Sequence, residues 1–375
     1  MIKQIYLTIL LSSALLYAEM PTPKGLKLTN GPHCLDLSWH EVYLHYYQIQ
    51  RSKNLNGPFT TLHSGTRMTN RFSDATIKDS QLYYYRVRAL AKDIKSKKPT
   101  YSKWSNIVSG SLKELTSEQV LDYTQRVNFE YSWSFAHPTS GLLRESTQHK
   151  GNIGSTLAKW RRCTIGATGM AFYNYAVGVK RNWIQREQAA HRALKVLKFL
   201  KNKCTRYQGA WSHWVDGMTG KTMPFSQYDD GADIVETAFL ASGLIFAREY
   251  FDNDNPLENE IRHISQQLWE EINWQFFTNK NTHNPSLIWH WSPNYGFKKN
   301  LFVRGPNECH IVYLLAMVSP TYPISKDYYD HSWLNKRFHK SRMLEGQSIN
   351  FSKDYGGPLF FAHYSYLGLN PHHIY

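Results

Sequence analysis

The feature that most constrains this chain is a change of hydrophobic period near residue 116. From Pro21 to about Lys113, apolar and polar residues alternate in short runs between turn residues, the period of strands with one buried face. Leu35, Leu37 and Trp39 alternate with Asp36 and Ser38, and Tyr47, Ile49 and Arg51 follow before the turn Asn56-Gly57-Pro58. Phe59, Thr61 and Phe72 mark weaker strands, and Tyr83, Tyr85 and Val87 alternate in the strongest one. Thr116-Ser117-Glu118-Gln119 then reads as a capping box, and the period becomes helical. Ala189, Ala193, Val196, Leu197 and Leu200 form one stripe, so the spacing predicts helices over 185–202, 236–250, 261–277 and 306–317. No run of alternating βα units appears, which disfavours a barrel or doubly wound sheet.

At 375 residues the chain is long enough for two cores, and 42% apolar with 19% charged residues is a globular composition. Residues 1–18 pair one lysine with an apolar run from Ile5 to Tyr17 and a small residue at Ala18, the pattern of a cleavable secretory signal peptide. Nothing later reaches the roughly 18 consecutive apolar residues of a membrane helix, so a secreted or periplasmic protein without a membrane span is expected. The net charge of +15 is scattered and follows no nucleic-acid motif. Export also removes nucleic acid as a partner, leaving anionic surfaces or glycans as better uses of the charge. Cys34, Cys163, Cys204 and Cys309 have no metal-ligand spacing, and pairing of Cys163 with Cys204 competes with a role for all four as small buried hydrophobes. Neither a metal nor a cofactor is called for, and a monomer is expected.

Long loops between the helices carry the chemistry. Trp211, His213 and Trp214 precede Asp229, Asp230, Asp233 and Glu236, four carboxylates within eight positions. Asp233 and Glu236, three apart, share a helix face. Crowded like charges in a partly desolvated place push pKa values apart and create an acid and a base; helix capping by Asp229 and Asp230 is the blander use of the same residues. Aromatic content of 15%, with 12 Trp and 25 Tyr, suits stacking against the apolar faces of sugar rings, as it suits core filling. Other candidate loops hold His137, Arg144 and Glu145; Trp289, His290, Trp291 and Tyr295; Glu308 at the first turn of an apolar helix; and Asp354 with His363 in a Gly- and Phe-rich stretch.

Two resemblances emerge from these residues. Leu-x-Leu-x-Trp, Tyr-x-Ile-x-Arg-Ser, Tyr-x-Tyr-Arg-Val-x-Ala and Tyr101-Ser102-Lys103-Trp104-Ser105-Asn106 together resemble a fibronectin type III domain over 21–113, a seven-stranded all-β sandwich with Tyr83 as its corner tyrosine. From about Ser132 to Pro371 the chain resembles the glycoamylase-like domain family, which includes β-1,2-glucan-cleaving glycoside hydrolases and domains of cyclic β-1,2-glucan synthases. The resemblance rests on His-Pro-x-Ser-Gly, Thr-Ile-Gly-x-Thr-Gly, Gly-x-Thr-Gly-Lys-Thr-x-Pro-Phe-Ser, Asp-Asp-Gly-x-Asp-x-Val-Glu-Thr-Ala-Phe-Leu, Trp-x-Trp-Ser-Pro-Asn-Tyr-Gly, Asn-Glu-Cys-x-Ile-Val-Tyr and Asp-Tyr-Gly-Gly-Pro-Leu-Phe-Phe-Ala-His-Tyr-Ser. It implies an all-α (α/α)6 barrel, or toroid, over 116–375. Where the family has Leu-Asp-Pro-Arg, this chain has Leu369-Asn370-Pro371-His372, which removes a base if that Asp activates water. The family also continues past the point where Tyr375 ends this chain, so an incomplete ring is expected.

The resulting expectation is a glycoside hydrolase acting on a glucan, β-1,2-linked, through paired carboxylates. Asp230 is the first choice of acid, with Glu236, Glu145 and Glu308 as alternatives and Asp229 beside them. Trp211, Trp214, Trp289, Trp291 and Tyr295 are expected to stack on glucosyl rings. His137, Arg144, Asp233, His290, Asp354 and His363 are expected to hold hydroxyls. The rival expectations are a catalytically impaired glycan-binding protein and a polysaccharide lyase on the same fold.

Overall fold

A computed structural model of the chain describes residues 19–43, 45–65, 69–92, 98–146, 160–279, 283–335, 340–351 and 357–373. The expected signal peptide and Asp354 lie outside these residues. The chain divides into two compact units, Met1–Val127 with Ser146–Trp160, and Asn128–Glu145 with Arg161–Tyr375.

In the first unit the alternating runs form β1 (Lys27–Gly31), β2 (Cys34–Ser38), β3 (Tyr46–Ser52), β4 (Thr60–Ser64), β5 (Arg71–Asp74), β6 (Tyr83–Lys92), β7 (Pro99–Tyr101) and β8 (Val108–Gly110). They pair as an antiparallel β1-β2-β5 sheet and a five-stranded sheet in which β6 joins β3 on one edge and both β7 and β8 on the other. Leu35 and Leu37 of the smaller sheet share one buried cluster with Ile49, Tyr85, Val87 and Ala89 of the larger. Buried Asp74 is satisfied by Arg51 at 2.7 Å and by the Tyr85 hydroxyl at 2.9 Å.

The helical part of the chain begins with α1 (Ser117–Trp133), whose predicted capping box forms: Gln119 N–H donates to Thr116 Oγ1 at 3.3 Å and Thr116 N–H to Gln119 Oε1 at 2.9 Å. The second unit continues with α2 (Ile165–Lys180), α3 (Arg186–Asn202), α4 (Ile234–Tyr250), α5 (Pro256–Glu270), α6 (His310–Met317), α7 (Lys326–Ser332) and α8 (Phe360–His363). The predicted α3 stripe is buried in full. α2 and α4 cross closely enough that a Cβ on Gly169 would run into the backbone of Phe239 and Leu240, and one on Gly243 into the Gly169 carbonyl. That backbone-to-backbone contact demands glycine at both positions. No helix among the described residues is long and apolar enough to cross a membrane.

These elements correct the fold expectation. The second unit is not all-α: the described residues of the whole chain hold eight α-helices, and short strands lie between those of this unit. β9 (Arg162–Thr164), β10 (Trp214–Asp216) and β11 (Thr222–Met223) form one small sheet. β12 (Ala232–Asp233) pairs with β14 (His290–Trp291), β13 (Leu287–Ile288) with β15 (Phe302–Val303), and β16 (Lys340–Leu344) with β17 (Gln347–Phe351). Ladders of two residues have no period, so patterning does not reveal them. The seven-stranded fibronectin-type reading is corrected as well: the described strands number eight, split three and five, and Tyr83 donates to the Asp79 side chain at 3.0 Å where a corner tyrosine would bond backbone. The helix predicted over 261–277 is two elements, because Asn255 caps α5 with Pro256 at its first turn and Asn273 caps a separate 3₁₀ turn at Trp274–Phe277. All four cysteines are free and buried.

Candidate active site

The site grows from the start of α4. Asp233, wholly buried, is the N-cap: its Oδ1 accepts from Val235 N–H at 2.9 Å and Glu236 N–H at 3.0 Å, and from Trp289 Nε1–H at 3.0 Å. Its Oδ2 meets His213 Nδ1 at 3.0 Å and lies 3.6 Å from His290 Nε2. The β12–β14 pairing places Asp233 directly opposite His290. A carboxylate this fully engaged at a helix N-terminus is an anchor for its neighbours.

Asp229 completes the buried part. Its Oδ2 lies 3.1 Å from His290 Nε2 and 2.7 Å from Lys299 Nζ. Burial works against its ionisation, but His290 and Lys299 outweigh burial and hold the carboxyl below its ordinary value. Asp229, Asp233 and His290 offer ligand atoms within 4.8 Å of one another, close enough for a metal ion. The Lys299 ammonium already supplies a positive charge against Asp229.

Glu236 stands one turn into α4. Its Oε2 accepts from Gly166 N–H at 2.8 Å, in the first turn of α2, and from Thr164 Oγ1 at 3.1 Å. A Cβ on Gly166 would sit 2.7 Å from that oxygen, so only glycine admits the contact. Oε1 points toward His213 Nε2, 4.0 Å away. Burial, seconded by Asp233, raises the Glu236 carboxyl to about 7, against the pull of His213, Gly166 and Thr164. His213 moves the other way: burial disfavours its charge, yet the Asp233 hydrogen bond and the fields of Glu236, Asp233 and Asp229 raise it to about 9. At neutral pH an imidazolium therefore stands between Asp233 and Glu236.

Two more of the expected carboxyls are Glu308 and Glu145. Glu308, in the turn before α6, is raised above its ordinary value by burial and by Asp233, and its Oε2 has no hydrogen-bond partner among the described residues. Glu145 is exposed. The Tyr364 phenol is raised by burial and then by the negative fields of Glu236, Glu308 and Glu145.

Not every predicted residue joins them. Asp230 turns to Asn294, whose Nδ2 donates to its Oδ2 at 2.6 Å. Trp214 is half-buried between the Arg162 guanidinium, 3.8 Å above its ring, and Phe225, 4.5 Å away. Trp289 stacks on His290 with rings 5° apart, Tyr295 is exposed beside Tyr228, and Trp291 packs on Tyr207 and Phe276. His363 lies exposed on α8. Five residues expected to contact sugar are buried instead: Trp211, His137 and Arg144, together with Asp233 and His290 already described. Arg144 donates to the Phe135 carbonyl at 3.2 Å, and burial followed by Arg144 lowers His137 to about 3. Sequence reading passed over His213, Lys299, Gly166, Thr164 and Tyr364. His213 carried a signal, a lone histidine between two tryptophans just ahead of the carboxylate cluster.

With this geometry in hand, the relatives are informative. Residues 300–375 match the family model "Glycoamylase: Putative glucoamylase". An exo β-1,2-glucooligosaccharide sophorohydrolase (non-reducing end) of Parabacteroides distasonis is 34% identical over 361 residues, 90% of this chain and 48% of that protein. The crystal structure of a β-1,2-glucanase from Parabacteroides distasonis matches with a TM-score of 0.78 at 32% identity, over 95% of this chain and 52% of the other. An endo-β-1,2-glucanase from Chitinophaga pinensis, in complex with sophorotriose and glucose, matches with a TM-score of 0.64 at 39% identity, over 69% and 62%. The chain spans about half the length of the curated relative it matches. The chain is thus similar to proteins named as β-1,2-glucan hydrolases, and its residues 300–375 match the glycoamylase family model.

Proposed function

We propose that this chain is a glycoside hydrolase that cleaves a β-1,2-linked glucan by paired-carboxylate catalysis, with Glu236 as the proton donor and Glu308 as the second carboxyl. The observation that carries the reading is the asymmetry at Glu236. Two donors engage Oε2, which leaves Oε1 to bear the proton on the side of His213, and the carboxyl titrates at about 7. An acid that titrates near the working pH is the more effective proton donor. Glu308, partly desolvated and unpartnered at Oε2, is the better basic partner than Asp229 or Asp233, whose charges are already neutralised by hydrogen bonds. Asp233 and His213 fix and charge the acid. Phe225 and Tyr295 at the exposed edge are suited to glucosyl faces. The names of the relatives support the linkage, and the apolar leader at residues 1–18 supports export.

A lyase would need an accessible arginine to neutralise a uronate, and Arg144, expected to hold hydroxyls, is buried on a backbone carbonyl. Incubation with linear β-1,2-glucan tests the proposal. New reducing ends are expected from the native chain and a loss of roughly 10²–10⁴-fold from Glu236→Gln, with Asp230→Asn retaining most activity. Unchanged cleavage by Glu236→Gln overturns it, and an unsaturated product would replace it with elimination.

A further inference from the structure

Helix α6 starts without a cap of its own. Its N-cap residue is Cys309, whose side chain makes no capping bond, so the N–H of Ile311 is left without a local partner. The partner comes from 54 residues further on. Ser365, 1% exposed, accepts from Ile311 N–H at 3.1 Å and donates its own proton to the Glu308 carbonyl at 2.6 Å. The flanking residues extend the grip. The Tyr366 hydroxyl lies 3.0 Å from His310 Nδ1, while Tyr329 lies 3.0 Å from Nε2 and Trp333 stacks on the ring at 4.9 Å. On the other side, the Tyr364 ring meets Phe239 of α4 edge-on at 5.6 Å.

We infer that Ser365 is a positioning residue for Glu308, and that the 3₁₀ turn Tyr364–Tyr366 sets where that carboxyl stands relative to Glu236. The inference rests on the reading of Glu308 as the second carboxyl of the site. The physical argument is that a turn is only as fixed as its hydrogen bonds. Glu308 hangs from a backbone whose carbonyl is held by Ser365 on one side, and whose helix is started by the same hydroxyl on the other. Without that hydroxyl the turn loses both bonds at once, and Glu308 relaxes toward water. Its burial then weakens, so its pKa falls back toward the ordinary glutamate value.

The test compares Ser365→Ala with Ser365→Thr, which restores a hydroxyl at the same place, in the full chain. Three readouts are followed: kcat and KM on β-1,2-glucan with the pH–rate profile, hydrogen exchange at the Ile311 amide, and the Glu308 carboxyl titration by ¹³C NMR. Ser365→Ala is expected to lower kcat by roughly 10- to 100-fold with KM nearly unchanged, to speed Ile311 exchange, and to lower the Glu308 titration; Ser365→Thr is expected to recover all three. Faster Ile311 exchange with an unaltered Glu308 titration overturns the inference, because the bonds would then exist without positioning Glu308. So does a loss of stability with unchanged kcat per folded molecule. A native chain that releases nothing from the glucan sinks the hydrolase reading alone, and the titration and exchange still decide the role of Ser365.

Discussion

His213 holds Asp233 and faces Glu236 with the same ring: Nδ1 lies 3.0 Å from Asp233 Oδ2, while Nε2 lies 4.0 Å from Glu236 Oε1. Both titrating partners are raised in the folded state, Glu236 from 4.5 to about 7 and His213 from 6.5 to about 9. A raised group contributes stability that is complete below its unfolded value and is lost as pH climbs through the folded one. Thermal melts should therefore decline across two overlapping windows, from about pH 4.5 to 7 for Glu236 and from about pH 6.5 to 9 for His213. In His213→Gln the decline above about pH 7 should vanish. Removing the imidazolium also lets Glu236 hold its proton more tightly, so the alkaline limb of activity should move to higher pH; a limb that stays fixed would show the two groups to be uncoupled.

Gly166 and Gly169 separate function from stability within one helix. Ala at 166 crowds Glu236 Oε2 at 2.7 Å and displaces the acid from its two donors, so Gly166→Ala should lose activity by about 10²-fold. Its overpacking cost in a urea titration should stay near 1–3 kcal/mol. Ala at 169 meets backbone of α4, which does not yield as a side chain does. Gly169→Ala should be the less stable of the two by urea midpoint.

Trp289 and Trp291 lie two residues apart in one aromatic loop and should respond differently to Phe. Trp289→Phe keeps a ring beside His290 but strips Asp233 Oδ1 of its indole donor, one of three hydrogen bonds to a buried oxygen. A loss of about 1–3 kcal/mol in denaturant stability, together with reduced turnover, is expected. Trp291→Phe disturbs only packing on Tyr207 and Phe276, and turnover should persist.

Lys299 sets the acid side of the stability profile. Asp229 is depressed below 3.8 partly by this ammonium. A depressed acid contributes stability that is present above its unfolded value and is lost as pH falls through the folded one. Lys299→Met leaves His290 as the remaining partner, so acid unfolding followed by circular dichroism should begin at a higher pH than in the native chain. Coincident acid curves would remove Lys299 from the account.

The α3 stripe and the capping box at Thr116 were legible because both repeat a local rule that the fold obeys. Glu236, Glu308 and Glu145 were legible as a set of motifs, not as a geometry. Asp230 outranked Asp233 in the sequence by its place between the aromatic loop and the helix; which acid caps α4 depends on a strand pair of two residues. Trp211, His137 and Arg144 misled for a common reason. A polar or aromatic side chain reads as a surface tool until a backbone carbonyl or a neighbouring ring accounts for it, and those partners lie on other segments. Ser365 was invisible by the same logic, since a remote residue supplies the cap that α6 lacks.

The crossing of α2 on α4 at Gly169 and Gly243 has a consequence for how the protein would wear out. Glu236 and its Gly166 donor sit on two rods locked main chain to main chain, so no loop excursion alone can separate them. Heating should leave the acid's cradle intact until the helices themselves part, and inactivation and global melting should then arrive as a single event.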